Sequence, residues 1–230
     1  MLRKFKGILL HTKASRENDL FIKLLTDSDE IISGIVYGGL SKKKKNILQI
    51  GYFLNINVSY KTNKPPSISA ELTDPYIVSI FNDKFKMNCL LSTTSLLNIS
   101  IADEQKIPKI FYNVEDFISH MINKKKWLIQ HFNFLFLLLK SIGYEIDYYK
   151  NEHQNYFDTE TLQFSKNSSN SSVIFPHQLL NNKEAYKISY EDINNLFHIF
   201  EIVFFKNHLS YLKLNLPNQY LLFKKLVIDK

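Results

Sequence analysis

Four consecutive lysines, Lys42 to Lys45, form the longest run of charged side chains in the sequence. They follow the pair Gly38-Gly39 and precede residues 52–61, in which apolar and polar side chains alternate. Because period-two alternation of this length indicates a half-buried strand, we expect the lysines on a loop between two strands. A basic loop beside aromatic and amide side chains is how small β-barrels hold a nucleic-acid backbone. The alternative is a lysine-rich loop that only favours solubility.

The charge of the chain favours a polyanionic partner for its first third. The net charge is +7, and residues 1–74 hold 12 Lys and Arg against 7 Asp and Glu. Clustered positive charge is the electrostatic footprint of nucleic-acid binding. We therefore expect secondary phosphate contacts from five further cations of this region, Lys4, Lys6, Arg16, Lys61 and Lys64.

Alternating runs separated by turn residues predict the elements that position these cations. Five strands are expected, at about 3–12, 20–26, 30–37, 52–61 and 67–72. Five short strands in about 70 residues suit a small closed barrel, of which the OB-fold is the commonest design. We predict an OB-fold nucleic-acid-binding domain over residues 1–75, ending at Asp74-Pro75.

The pattern changes to a helical period after residue 75. Helices are expected at about 84–101, 114–123, 124–142, 189–212 and 216–228. Residues 149–177 lose this period and are rich in Asn and Ser, so we interpret them as an irregular segment. The predicted fold class is α+β: a five-stranded barrel domain, 1–75, followed by an all-helical domain, 76–230, that carries the irregular segment.

Motifs for bond-making chemistry are absent from the sequence. It contains no glycine-rich phosphate loop, no HExxH and no GxSxG, and its seven histidines are scattered. The single cysteine, Cys89, lies in an apolar run and is expected to be buried. We predict a binding protein without catalytic residues, cofactor or metal. No apolar stretch is long enough to suggest a signal peptide or a membrane span, so a cytoplasmic location is expected.

Several short sequence motifs of this chain occur together in one known family. They are Gly7 to Thr12, Arg16 to Leu20, Leu24 to Thr26, Gly38-Gly39 with the lysine run, and Leu48 to Gly51. The residues from Phe132 to Tyr144 and the pair Phe175-Pro176 follow in the same order. In these motifs the chain resembles the RecO family of bacterial recombination-mediator proteins over nearly its full length.

The resemblance implies a function in recombinational DNA repair. RecO proteins carry an OB-fold followed by a helical domain, bind single- and double-stranded DNA, and anneal complementary strands. They help load the recombinase RecA onto DNA coated with single-strand-binding protein (SSB), together with RecR and, in many bacteria, RecF. They are not enzymes, and they act in the bacterial cytoplasm at the nucleoid.

A site for the acidic, aromatic-ended SSB tail is also implied by the resemblance. Such a peptide needs an apolar pocket rimmed by cations. Arginine is usual in the family where this chain has Gln130-His131, so the candidates here are Lys124, Lys125, Lys126, Trp127, His131 and Leu135. The alternative is an ordinary amphipathic helix with a basic N-terminal flank.

Many family members bind zinc through a cysteine cluster in the region matching residues 150–178, where this chain has no cysteine. We therefore expect no structural zinc, and we expect packing of apolar residues to hold this segment. Two other functions remain open. One is an OB-fold RNA-binding protein of translation or RNA maturation, which would prefer structured RNA. The other is a degenerate enzyme, which would keep polar groups in a deep pocket of the helical domain.

Overall fold

Five strands close into a barrel in the first part of the chain. A computed structural model describes residues 1–73, 76–124, 126–181 and 188–229. The strands are β1 (Leu2–Arg16), β2 (Asp19–Thr26), β3 (Ile31–Val36), β4 (Phe53–Lys61) and β5 (Lys64–Leu72). They follow the order β1-β2-β3-β5-β4, with β4 pairing back to β1, and only the β3–β5 pair is parallel. The predicted barrel followed by helices is confirmed.

The barrel interior is filled by alternate residues of each strand. In β4 the alternation of residues 52–61 gives one buried face, because Leu54, Ile56 and Val58 lie in the core. The outward residue Phe53 is buried as well, since its ring packs edge-on against Phe111 with centroids 6.1 Å apart. The outer surface of β4 is therefore partly covered rather than uniformly solvated.

The helices that follow the barrel pack onto it. They are a 3₁₀ turn (Tyr76–Ile80), α2 (Lys84–Ser100) and α3 (Ile110–Asn123), while α1 (Lys42–Lys45) is one turn between β3 and β4. The Asp29 carboxylate accepts hydrogen bonds from Lys109 N at 2.7 Å and Phe111 N at 3.0 Å. A turn of the barrel thus satisfies free amide groups at the start of α3.

The chain divides by packing into two units, Met1–Ile122 and Asn123–Lys230. Helix α2 belongs to the first unit, since Lys23 Nζ of β2 donates to the carbonyl oxygens of Asn98 and Ile101 at its C-terminal end. The expected boundary at Asp74-Pro75 falls on residues outside the described ranges. The domain division at 75/76 stays a prediction.

The second unit combines helices with a small sheet. Its elements are α4 (Trp127–Ser141), β6 (Tyr156–Asp158), β7 (Gln163–Ser165), β8 (Ser172–Ile174), α5 (His177–Leu180), α6 (Tyr190–Phe204), a π turn (Phe205–Leu209), α7 (Ser210–Leu212) and α8 (Asn218–Ile228). The segment 149–177, predicted to be irregular in an all-helical domain, therefore contains a three-stranded antiparallel sheet of order β7-β6-β8. Strands of three residues are too short to show a period in the sequence.

One carboxylate ties the loops of this sheet together. The Asp158 side chain accepts hydrogen bonds from Ser169 Oγ at 2.8 Å, Ser171 Oγ at 2.7 Å and Thr161 N at 2.8 Å. These donors favour the charged form, and the backbone donation from Thr161 is the largest cause that lowers the pKa of Asp158 below its ordinary value. The loops of the small sheet are thus held together by hydrogen bonds to the oxygen atoms of one carboxylate.

We predict that Asp158→Asn loosens the small sheet at neutral pH. The lowered pKa means that the carboxylate stabilises the fold above its ordinary pKa of 3.8, and that this stability is lost as the pH falls further. The difference between variant and wild type, followed by amide hydrogen exchange of Phe157 and Val173, should therefore shrink below about pH 4. Glu160→Gln, an exposed neighbour, is the control. An Asp158→Asn effect that stays constant down to pH 2 contradicts the prediction.

Candidate nucleic-acid interface

The four lysines lie on one helical turn, α1, in the connection between β3 and β4 where the sequence predicts a loop. All four are exposed. Successive side chains of a helix are rotated by about 100°, so the ammonium groups fan outward. Lys44 Nζ donates to the carbonyl oxygen of Tyr37 at 2.6 Å. Within the described ranges, Lys42, Lys43 and Lys45 make neither a side-chain hydrogen bond nor an ion pair.

The turn is held in place by the hairpin between β1 and β2. Gly38 N donates to the Asp19 carboxylate at 2.9 Å, and Leu40 N donates to Asn18 O at 3.0 Å. Gly38 has φ +63°, a conformation that glycine adopts without steric cost. The chain therefore leaves β3 along a fixed path, and the lysines follow directly from it.

The other predicted cations do not form one patch with α1. Arg16 ends β1 and pairs with Asp19, so it lies at the same end of the barrel as the lysine turn. Lys4 pairs with Asn57, and Lys61 and Lys64 face each other across the β4–β5 hairpin. Lys4 and Arg16 are twelve positions apart on β1, which is about 40 Å along an extended strand. The exposed cations thus occupy two ends of the barrel.

Lys6 differs from the other predicted phosphate ligands. Its Nζ forms an ion pair with the Glu115 carboxylate of α3, and it lies 5.5 Å from the centroid of the Phe53 ring. Glu115 neutralises the charge locally, and the Phe53 contact holds the side chain against the covered outer surface. Lys6 therefore contributes to attaching α3, and it is less available to a phosphate than Lys4.

A groove beside α1 was not predicted from the sequence. It has a volume of about 640 Å³ and lies between the base of the barrel and the helices that follow. Lys45 and Tyr52 line one side, and Phe81, Met87 and Leu91 line the other. We call it the basal groove. In the sequence, the one indication of this groove is Phe81, an apolar residue in a segment without strong periodicity.

Two residues of the predicted partner site lie in the core, and the site itself stays a prediction. His131 and Leu135 are both fully buried in the core of the second unit. Burial also lowers the pKa of His131 to about 3, so the ring is neutral and supplies no cation.

The remaining predicted partner residues have different settings. Lys124 and Lys126 are exposed, and Lys125 lies outside the described residues. Trp127 is half-buried and packs against Phe223, with ring centroids 6.2 Å apart. These residues stay candidates for the partner site.

The described part of the chain was also compared with the requirements of a metal site, a reactive thiol and a membrane-spanning helix, and it meets none of them. No three His, Cys, Asp or Glu side chains come together there as a group that could hold a metal ion. Cys89 is buried as expected, and burial raises the pKa of its thiol. None of the described helices is long and apolar enough to cross a membrane.

Comparison with known proteins matches the barrel to one family. Residues 1–76 match the family described as Recombination protein O N terminal. DNA repair protein RecO of Anaplasma marginale (strain Florida) is 22% identical over 144 residues, which are 61% of this chain and 58% of the relative. DNA repair protein RecO of Orientia tsutsugamushi (strain Boryong) is 30% identical over 146 residues, 61% of this chain and 59% of the relative.

These alignments span about three-fifths of the curated relatives' own length. A solved structure, asparaginyl-tRNA synthetase of Entamoeba histolytica, aligns over 94% of this chain and 60% of that chain at 14% identity. Its TM-score of 0.27 is too low to indicate a shared fold.

We predict that Lys6 and Glu115 are energetically coupled. A double-mutant cycle of Lys6→Met and Glu115→Gln, measured by chemical denaturation, should give a coupling energy of about 0.2–1 kcal/mol, typical of a partly exposed pair. Lys4→Met is the matched control because Lys4 is exposed on the same strand and is not paired with Glu115. Equal coupling of Lys4 and Lys6 to Glu115 would contradict the assignment of Lys6 to the α3 contact.

Proposed function

We propose that the protein is a DNA-binding repair protein of the RecO type, a proposal supported by the match of residues 1–76 to the family described as Recombination protein O N terminal. It binds single- and double-stranded DNA, anneals complementary strands and helps load RecA onto SSB-coated DNA. The observation that carries the proposal is the exposed lysine turn α1 at one end of the family's barrel. The protein acts by binding, without making or breaking covalent bonds.

The proposed binding is electrostatic and independent of sequence. Lysines that neutralise phosphates release the counterions condensed on the strand, which favours binding most at low salt. Four like charges on one turn also repel one another in the free protein, and phosphates relieve that repulsion. The fixed path through Gly38 and Leu40 supports the role, since little backbone order has to be gained on binding.

The proposed annealing activity draws support from the separation of the cations. Arg16 and α1 lie at one end of the barrel, while Lys4, Lys61 and Lys64 lie at the other. Two cationic regions on one barrel allow two strands to be held at once. Neutralising phosphates on both strands lowers their mutual repulsion, which is the main barrier to pairing two polyanions.

The proposed partners are RecR, the SSB tail and, through the same assembly, RecF and RecA. The proposed residues for the SSB tail are Lys124, Lys125, Lys126, Trp127, His131 and Leu135, of which Lys124, Lys126 and Trp127 are described and at least partly accessible. Their exposed charges and half-buried ring offer the cation and apolar surface that an acidic, aromatic-ended peptide requires. A location at the nucleoid in the bacterial cytoplasm belongs to the same proposal.

We predict that changing Lys42, Lys43, Lys44 and Lys45 together to alanine weakens DNA binding without unfolding the protein. If about three of the lysines contact phosphates of a single strand, the log–log salt slope should fall by roughly 2, at about 0.7 per phosphate. The thermal midpoint should stay level or rise, because α1 buries no residue and loses repulsion.

The control replaces the same four lysines by arginine, which keeps the charge and should keep the slope. An unchanged slope in the alanine variant would remove α1 from the interface. Tighter binding to structured RNA than to single-stranded DNA of equal length would instead support the RNA-binding alternative.

A further inference from the structure

The basal groove is an apolar recess that opens next to the lysine turn. Its walls include Leu48 from the chain after α1 and the half-buried Met87 and Leu91 of α2. Phe81 also lines the groove, and 69% of this residue is exposed. An exposed aromatic ring beside a recess of about 640 Å³ offers a surface on which a flat apolar group can stack.

Charge distinguishes this groove from an ordinary surface depression. Lys45 is part of its lining, and Lys42 to Lys44 precede it on the same turn. No carboxylate lines the groove within the residues that the structure describes. The amide side chains of Asn46 and Gln49 also line it and can exchange hydrogen bonds with polar edges. The complementary ligand therefore carries negative charge, flat rings and polar ring edges.

We infer that the basal groove receives unpaired bases of a single strand whose phosphates lie on the lysine turn. This inference rests on the proposed DNA binding and names the part of the ligand that reaches beyond α1. Bases stack on aromatic rings in sequence-tolerant single-strand sites, and Phe81 is the ring placed for that contact. Bases inside a duplex are stacked on each other and cannot enter, so the groove favours single strands over duplexes.

An acidic peptide with apolar side chains is the competing occupant. The groove favours bases because aromatic and amide groups accompany its aliphatic walls, and both suit a heterocycle with hydrogen-bonding edges. The run of adjacent lysines also continues directly into the groove through Lys45. Such a run matches a nucleic-acid strand, which carries one negative charge on every nucleotide. In the competing case, Phe81→Ala leaves affinities for DNA unchanged and weakens binding of an acidic, leucine-containing peptide.

The test compares two single strands that differ only in their bases. The full chain is titrated with a 20-nucleotide thymidine oligomer and with an abasic oligomer of equal length and charge. Wild type should bind the thymidine oligomer about tenfold more tightly, within the range measured for stacking of one base. Phe81→Ala should bring the affinity for thymidine down to the abasic value and leave the abasic affinity unchanged. Tyr112→Ala, an exposed ring outside the groove lining, is the matched control and should change neither.

The outcomes separate this inference from the proposed function. Equal wild-type affinity for both oligomers, or an equal loss on both in Phe81→Ala, overturns the inference. In that case, a four-alanine variant of α1 that still weakens binding to both oligomers would support DNA binding by the lysine turn. Only the assignment of bases to the basal groove would then be rejected. Loss of the abasic affinity in the α1 variant, together with a thymidine preference that depends on Phe81, is the result expected if both hold.

Discussion

Closure of the barrel at the seam between β3 and β5 is the constraint on which the rest of the first unit depends. A Cβ atom on Gly34 would lie 2.6 Å from the carbonyl oxygen of Pro66 and 2.8 Å from Ile68 Cδ1. Such distances are shorter than any ordinary contact, so this parallel seam forms only because residue 34 has no side chain. The seam fixes the last strand before the lysines and thereby fixes where α1 begins.

Three carboxylates of the first unit are engaged in contacts within the fold, Asp19 at the end that carries α1 and Asp29 and Glu115 at the end that carries Lys6. Asp19 accepts a hydrogen bond from Gly38 N, Asp29 accepts from the start of α3, and Glu115 pairs with Lys6. Each of these contacts stabilises the barrel or attaches a helix to it. These three carboxylates stabilise contacts within the fold. In the part of the chain described, none of them forms an ion pair with a lysine of α1.

The groove has the same structural origin as the lysine turn. Gly51 has φ +86°, and a Cβ there would lie 2.8 Å from Leu90 Cδ2 of α2. A glycine at this position lets α2 approach the chain that enters β4. Met87 and Leu91, on the same helix, then form a wall of the groove opposite Lys45. One short stretch, residues 38–52, thus supplies both the cations and one side of the recess.

Much of this arrangement could be predicted from the sequence, for physical reasons. Period-two patterns mark strands because one face is buried, and the alternation of residues 52–61 placed Leu54, Ile56 and Val58 on one face, which lies in the core. A run of four lysines is exposed because charged groups are costly to bury.

What the sequence could not provide is long-range contact. Nothing in the local pattern indicates that Asp29 satisfies the start of α3, or that Phe53 is covered by Phe111. The burial of His131 and Leu135 could not be predicted either, because apolar residues at helical spacing indicate burial as readily as binding.

The central claim is that single-stranded DNA binds at the lysine end of the barrel. Amide hydrogen exchange of the full chain, with and without a saturating thymidine oligomer, tests it most directly. The account predicts that DNA slows exchange in residues 38–52 and 81–91, with smaller changes elsewhere in the first unit. Protection confined to the second unit, or to the opposite end around Lys4, Lys61 and Lys64, would contradict it.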